Sequence, residues 1–169
     1  MSTPVPPVIF EPLHDDVVAP ERQTEEAAGY DLRAYLRRRR VQLRYADTGE
    51  LGEIEVDGSL ALDPGDIALV PTGFRARLPS GFEAQIRLRS SLAFRKGLIL
   101  PNAPGTIDAD YPDEWLVMAK NDSSRTVVID HGERIAQAII TPFCAPPWTS
   151  GSVTQSTDRT GGLGSTGRS

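Results

Sequence analysis

Turn-forming proline and glycine residues recur along this chain at intervals too short to leave room for long helices. Between these turns lie short runs of β-branched and other apolar residues, at positions 67–70, 74–78, 83–88, 115–119, 126–129 and 135–140. In the run 83–88 polar and apolar residues alternate, as they do in a strand with one buried face. Short strands separated by such turns predict an all-β sandwich or barrel. The best helical candidate is one brief turn at residues 91–94.

Residues 36–58 predict an additional β-hairpin. A run of four arginines, Arg37 to Arg40, leads into a β-favouring segment, and a turn at 47–49 separates it from a second one. The arginines could contact nucleic acid, or they could protect an edge strand by facing acidic residues across the hairpin. We favour the second interpretation because the acids lie so close in sequence. These acids are Glu50, Glu53, Glu55 and Asp57.

The composition argues against several classes of function. A length of 169 residues suits one domain, and the formal net charge of -5 argues against a general nucleic-acid-binding protein. The single cysteine cannot form an intrachain disulfide, and neither of the 2 histidines lies in a cluster with metal-ligand spacing. No apolar run is long enough to span a membrane, and the first residues lack a secretory pattern. We therefore expect a cytoplasmic protein that binds neither nucleic acid nor a membrane.

Five short segments contain residues suited to phosphate chemistry: 28–32, 89–93, 105–111, 134–137 and 159–167. Taken singly, each has an ordinary structural explanation, such as a turn carboxylate, a surface charge or a flexible tail. Together they supply arginine and hydroxyl donors for phosphoryl oxygens, and carboxylates that can activate water or hold a hydrated Mg²⁺. The glycine-rich last segment could close over a bound ligand, because glycine lets the backbone approach closely.

In this order, the five segments resemble the five motifs of the trimeric dUTPase family, whose members hydrolyse dUTP to dUMP and pyrophosphate. The resemblance spans residues 27–167 and includes the GGLGSTG sequence of the tail. It implies a jelly-roll-like distorted β-barrel at residues 1–148, with the inserted hairpin at 36–58, and a flexible arm at 149–169 that closes the active site. It also implies a homotrimer with shared active sites, Mg²⁺ as cofactor, and a role in keeping uracil out of DNA and supplying dUMP for dTMP synthesis.

The resemblance implies a role for each site residue. The catalytic residues would be Asp108, which activates water, Gln137, which supports that water, and Asp31, which binds metal-linked water. The phosphates would be held by Arg89, Ser90, Ser91, Arg159, Ser165 and Thr166. Uracil and deoxyribose would be bound by Asn102, Gly105, Ile107, Tyr111, Met118 and Leu163, with Tyr111 leaving no room for a 2′-hydroxyl. Mg²⁺ would be held by substrate phosphates and water, without a direct protein ligand.

The sequence departs from the family pattern at several positions. Leu163 stands where an aromatic residue usually stacks on uracil, and Arg159 lies one residue nearer the glycine pair than is usual. After Tyr111, the residues Pro112 to Glu114 stand where the family usually has a glycine.

Two other interpretations compete with this one. A dCTP deaminase shares the barrel and the Arg-Ser-Ser segment, but its general-base glutamate corresponds here to Met118, and methionine cannot transfer protons. A non-catalytic nucleotide-binding module could signal through the hairpin, although the joint presence of the motif residues argues against lost catalysis.

Overall fold

The computed structural model describes residues 6–154 and 156–157, which contain mostly β-strands. The strands are β1 Ile9–Pro12, β2 Tyr30–Arg33, β3 Arg39–Arg44, β4 Leu51–Val56, β5 Ser59–Leu62, β6 Ile67–Pro71, β7 Phe74–Arg77, β8 Phe82–Leu88, β9 Leu98–Ile99, β10 Gly105–Ile107, β11 Leu116–Asn121, β12 Val127–Asp130 and β13 Arg134–Pro142. One helix, α1 Ser90–Lys96, lies between β8 and β9. The predicted all-β class is therefore confirmed, and all six predicted strands are present.

The strands pair antiparallel in two larger sheets and two strand pairs. The five-stranded sheet has the order β4-β3-β6-β11-β9, the four-stranded sheet has the order β10-β8-β13-β2, and β1 pairs with β7 as β12 does with β5. In β3 the side chains alternate, so that Val41 and Leu43 are buried while Gln42 and Arg44 are exposed. Buried side chains from all of these sheets form one hydrophobic core. This arrangement is the jelly-roll-like β-barrel that the resemblance implied.

The helix α1 is as brief as the sequence predicted. It buries Leu92 alone and ends at Gly97, whose φ of 70° lies in the left-handed region. A Cβ atom at Gly97 would approach the Cβ of Ser123 to 2.9 Å, so glycine also satisfies a close contact there. Among the described residues, no helix combines the length and apolar character needed to cross a membrane.

The hairpin predicted at residues 36–58 is formed by β3 and β4, which pair along their whole length. The expected contact with acids across the hairpin is found for Arg40, whose guanidinium lies 3.3 Å from the carboxylate of Glu55. For Arg37 and Arg39 the expectation is wrong, because their side chains bond to Asp16 and Glu114, which lie outside the hairpin. Successive residues of a strand point to opposite faces, so Arg39 and Arg40 do not face the same acids.

After β13 the described chain continues without a helix or strand. Residues 143–154 are exposed, and the Trp148 side chain is fully exposed. The predicted boundary between barrel and arm at residues 148–149 falls in this segment and stays a prediction.

Candidate active site

Three of the five sequence segments meet at one buried carboxylate. Asp31 lies on β2 and is 3% exposed. Its Oδ2 accepts a hydrogen bond of 3.0 Å from Arg134 Nη1, and its Oδ1 accepts one of 3.0 Å from Gln137 Nε2. The Nε of Arg89 lies 3.7 Å from the same Oδ1. The structure therefore brings the predicted residues Asp31, Arg89 and Gln137 together.

The four-stranded sheet explains why these residues meet. Strand β13 lies between β2 and β8, so that Gln137 is opposite Asp31 on one side and Arg87 on the other. Arg134 precedes Gln137 by three positions, which in a regular strand would put the two side chains on opposite faces. A shift of register between Arg134 and Ala136 changes this alternation, as a β-bulge does, and both side chains reach Asp31.

The backbone at Gly29, directly before β2, approaches the Gln137 side chain closely. A Cβ atom at Gly29 would lie 3.0 Å from the Cβ of Gln137 and 3.2 Å from its Cδ. Glycine at position 29 therefore leaves the space that the Gln137 amide occupies beside Asp31. This is one reason why the Ala-Gly-Tyr-Asp sequence of the first segment suits the site.

The cluster presents positive charge outwards. The Asp31 side chain is 1% exposed, whereas those of Arg89 and Arg134 are 26% and 33% exposed. Two guanidinium groups face one carboxylate, so the cluster has a formal excess of one positive charge. Ser90 and Ser91 stand exposed in the first turn of α1, directly after Arg89. Arginine and hydroxyl donors in this arrangement can bind phosphoryl oxygens.

A second group of predicted residues lies around β10. Gly105 and Ile107 are buried, and a Cβ atom at Gly105 would lie 3.3 Å from the Nδ2 of Asn102. Asp108 directly follows β10 and is exposed. Its carbonyl oxygen accepts a hydrogen bond of 3.2 Å from the amide of Tyr111, which closes a turn. Asn102 therefore lies beside the start of β10, and Asp108 and Tyr111 lie in the turn that follows its end.

The two groups lie far apart within one chain. Ile107 is opposite Ala84 on β8, so Asp108 extends towards Glu83, whereas Gln137 is opposite Arg87. Four residues of strand separate these rows by roughly 13 Å, and the strands β10 and β2 are separated by roughly 14 Å across the sheet. A catalytic base must lie within hydrogen-bond reach of its proton, directly or through one water. On this estimate from the strand register, Asp108 lies beyond hydrogen-bond reach of a water at the Asp31 cluster of the same chain.

The remaining predicted residues are Met118 and the four side chains of the arm. Met118 belongs to β11 in the five-stranded sheet, where it lines a cavity of about 470 Å³ together with residues of the hairpin. Its proposed contact with uracil stays a prediction. The positions Arg159, Leu163, Ser165 and Thr166 lie outside the described residues.

The sequence predicted no role for Arg134, although this residue begins the Arg-Ile-Ala-Gln segment that contains Gln137. The hydrogen bond from Arg134 to Asp31 depends on the bulge in β13, which the alternation of residues does not reveal. The feature of the sequence that could have indicated this role is the position of Arg134, three residues before the candidate site residue Gln137.

The cluster suits a metal ion that is bound through water and phosphate. No group of three or more His, Cys, Asp or Glu side chains that could hold a metal occurs among residues 6–154 and 156–157. A carboxylate offers about four acceptor positions, of which Arg134, Gln137 and Arg89 approach three at Asp31. The Asp31 side chain is 1% exposed, so the predicted contact of Asp31 with a metal-bound water stays a prediction.

Comparison with known proteins gives a consistent result. The family model described as dUTPase matches residues 53–167. A deoxyuridine 5'-triphosphate nucleotidohydrolase of Desulfotalea psychrophila is 41% identical over 149 residues, which are 88% of this chain and 86% of that protein. A dUTPase structure from Streptococcus mutans has 29% identity and a TM-score of 0.65, covering 83% of this chain and 99% of that one. A mutant dUTPase from phage phi11 of S. aureus, described as coordinating a structural Mg(II) ion, shares the fold with 19% identity and a TM-score of 0.70, covering 89% of this chain and 100% of that one.

Proposed function

The chain belongs to the dUTPase family and is a dUTP nucleotidohydrolase, and we propose that it forms dUMP and pyrophosphate in a site completed by two or more subunits of a homotrimer. The observation that supports the shared site is the separation of about 20 Å between Asp108 and the cluster at Asp31, from the strand register. Residues that are too distant within one chain can meet across a symmetric interface.

One subunit would supply the phosphate-binding part of the site. Arg89 and the exposed hydroxyls of Ser90 and Ser91 donate hydrogen bonds to phosphoryl oxygens. Asp31 holds the side chains of Arg89 and Gln137 in position, and Arg134 completes this arrangement. Since these groups are already ordered by contacts with one another, they stabilise developing charge on the phosphate oxygens without large rearrangement.

A neighbouring subunit would supply the base, the sugar site and the uracil site. The Asp108 carboxylate accepts a proton from water as the water oxygen attacks the α-phosphorus, and the bond from that phosphorus to the bridging oxygen breaks to release pyrophosphate. Tyr111 packs beneath deoxyribose, and Asn102 with the backbone near Gly105 reads the edge of uracil. Most of the rate enhancement then comes from positioning and electrostatic stabilisation.

The remaining elements of the proposal concern the metal and the arm. Bound Mg²⁺ would supply charge neutralisation at the triphosphate, with Asp31 in contact with its water. Arg159, Ser165 and Thr166 of the arm at 149–169 would bind the β- and γ-phosphates, and Leu163 would cover the base. Removal of uracil from the nucleotide pool and supply of dUMP in the cytoplasm are the proposed physiological roles.

The decisive experiment measures pyrophosphate release from dUTP, dCTP, dTTP and UTP in the presence of Mg²⁺, with ammonia release followed for dCTP. Fast release from dUTP alone would support the reaction and both selectivity filters. Ammonia release from dCTP would instead assign the chain to the deaminase branch. Size-exclusion chromatography with light scattering tests the trimer separately, because an active monomer would contradict the shared site.

A further inference from the structure

The base of the inserted hairpin is tied to the segment that follows Tyr111. The guanidinium of Arg39 donates one hydrogen bond to Glu114 Oε2, and its other terminal nitrogen lies 2.8 Å from His14 Nε2. The second oxygen of Glu114 accepts a hydrogen bond of 2.6 Å from the amide of Gly73. The Glu114 carboxylate, in the segment after Tyr111, therefore contacts both the hairpin and the turn that precedes β7.

This ion pair is shielded from solvent, unlike the neighbouring one. The side chains of Arg39 and Glu114 are 19% and 15% exposed, whereas those of Arg40 and Glu55 are 71% and 80% exposed. Exposed ion pairs contribute little to stability because water competes for both charges. Loss of one partner from a shielded pair has a larger effect, since the other charge is left without its partner.

Glu114 fixes one end of the loop 108–113. At the other end, the β10–β8 ladder holds Ile107, directly before Asp108. After Glu114, the amide of Trp115 donates to the carbonyl of Phe74 at 3.0 Å. Asp108 thus lies one residue from a fixed strand, whereas Tyr111 lies three residues from Glu114. The position of Tyr111 therefore depends more on the Glu114 end than the position of Asp108 does.

The hairpin and the tyrosine also border the same space. Arg39, Tyr111 and Glu114 line one cavity of about 290 Å³ between the hairpin and the loop. Tyr111 is half-buried, and this cavity is one of two that it lines.

We propose that Arg39 is a positioning residue that holds Tyr111 through Glu114, and that the inserted hairpin thereby contributes to the selection of deoxyribose over ribose. The inference rests on the proposed function, in which the Tyr111 ring leaves no room for a 2′-hydroxyl. The amide of Tyr111 bonds to the carbonyl of Asp108, but the β10–β8 ladder also holds the residue directly before Asp108. Loss of the Arg39 contact should therefore raise the KM for dUTP more than it lowers kcat.

The experiment compares kcat/KM for dUTP and for UTP in three variants of the full chain. Arg39→Gln removes the charge that pairs with Glu114, and Glu114→Gln removes the opposite charge while its amide oxygen still accepts from Gly73. Each should lower the dUTP-to-UTP ratio about tenfold, since small misplacements of a positioning group have effects of this order or larger. Arg40→Gln makes the same change in an exposed pair and should alter the ratio less than about twofold.

Further variants separate positioning from damage to the fold. The double variant Arg39→Gln with Glu114→Gln should be no worse than either single variant, because both remove the same interaction. Arg39→Lys keeps the charge without the planar fork and should restore part of the discrimination. An unchanged ratio in active Arg39→Gln and Glu114→Gln proteins, or an equal loss in Arg40→Gln, would overturn the inference.

Hydrogen exchange of the ligand-free protein tests the same link without any turnover. Amides of residues 109–114 should exchange faster in Arg39→Gln than in the unmodified chain, and Arg40→Gln should leave them unchanged. If the unmodified chain released no pyrophosphate from dUTP, the proposed function would fail, and exchange alone would decide whether Arg39 holds the loop. Equal exchange rates in Arg39→Gln and the unmodified chain would overturn the inference in either case.

Discussion

The two groups of candidate site residues differ in how they are held. The Asp31 carboxylate is buried and lies within bonding or ion-pair distance of three side chains from two other segments. Asp108 is exposed in a loop, and the hydrogen bond that closes its turn is made by its backbone carbonyl and not by its side chain. The partners of the Asp31 carboxylate therefore come from the same chain, whereas the Asp108 carboxylate is directed to solvent.

This difference suggests a division of work. A buried network with satisfied hydrogen bonds is rigid, and it suits the binding of a triphosphate that must be held in one geometry. In the proposed mechanism, the exposed Asp108 is instead brought to its water by the approach of a neighbouring subunit and the substrate. Changes in the first group should therefore disturb the geometry of several residues, whereas changes in the second should remove one function and leave the fold intact.

The largest effect is expected for Asp108→Asn. Loss of the base should reduce kcat by about 10²- to 10⁴-fold, because general-base catalysis contributes rate factors of that size. The side chain is exposed, so the melting temperature and dUTP affinity should change little. Pyrophosphate release and calorimetric titration with dUTP measure the two quantities. Asp110→Asn, two residues away and also exposed, is the matched control; near-normal turnover in Asp108→Asn would exclude Asp108 as the base.

The second prediction tests whether the two groups work across subunits. Asp108→Asn and Arg89→Ala proteins should each be inactive, but activity should return when the two are unfolded together and refolded as mixed oligomers. With equal random mixing, about a quarter of the shared sites pair an intact Asp108 with an intact Arg89 from different subunits. Each variant refolded alone is the control, and no recovery in the mixture would mean that both residues act within one chain.

A smaller effect is expected for Gly29→Ala, which perturbs the buried group without touching a charge. The new Cβ would lie 3.0 Å from the Cβ of Gln137, so the glutamine must shift and its bond to Asp31 must lengthen. We expect kcat/KM for dUTP to fall by about tenfold, since a misplaced site residue is costly. Ala28→Ser adds an atom at the adjacent exposed position and serves as control. Equal activities would show that Gln137 tolerates displacement.

The sequence predicted most of the core strands because their alternation and flanking turns are local properties. Strands β1, β2, β5, β9 and β10 escaped prediction, and each of them spans four residues or fewer, which is too short to show a clear period. The motif segments led to Asp31, Arg89 and Gln137, which the structure brings together. The contact of Arg134 with Asp31 was not predictable, because it depends on a bulge that reverses the expected face.

The contact between Arg39 and Glu114 was also beyond prediction from the sequence. The two residues are 75 positions apart, and the nearby acids of the hairpin offered more obvious partners for the arginine. Which acid pairs with Arg39 is decided by the face of β3 on which it lies and by the packing of β3 beside β6. Long-range packing of this kind is not encoded in local patterns of charge.

The smallest effect concerns the pH dependence of stability, and it arises outside both groups of site residues. Both histidines of the chain pack against the Tyr35 ring beside the hairpin base, and neither belongs to the cluster at Asp31. The amide of Leu36 donates to His131 Nδ1 at 3.1 Å, which requires that nitrogen to be unprotonated. Burial, and then the positive charge of Arg37, lower the pKa of His131 below its ordinary value of 6.5, while Asp16 and Asp57 act in the opposite direction.

A lowered pKa in the folded state means that the unfolded chain binds the proton first as the pH falls. The contribution of His131 to the free energy of unfolding is therefore complete above about pH 6.5, and it is lost as the pH falls from there through the lower folded pKa. Urea unfolding at pH 8, 7, 6 and 5.5 should show a plateau and then a decline. His131→Gln, whose amide oxygen can still accept from Leu36, should weaken that decline.

Asp16, whose pKa is lowered by its hydrogen bond from Tyr35, loses its contribution only in a more acidic range, so it does not produce the same change. An equal decline in His131→Gln would assign the pH dependence to other groups and leave the hairpin base without a role in it.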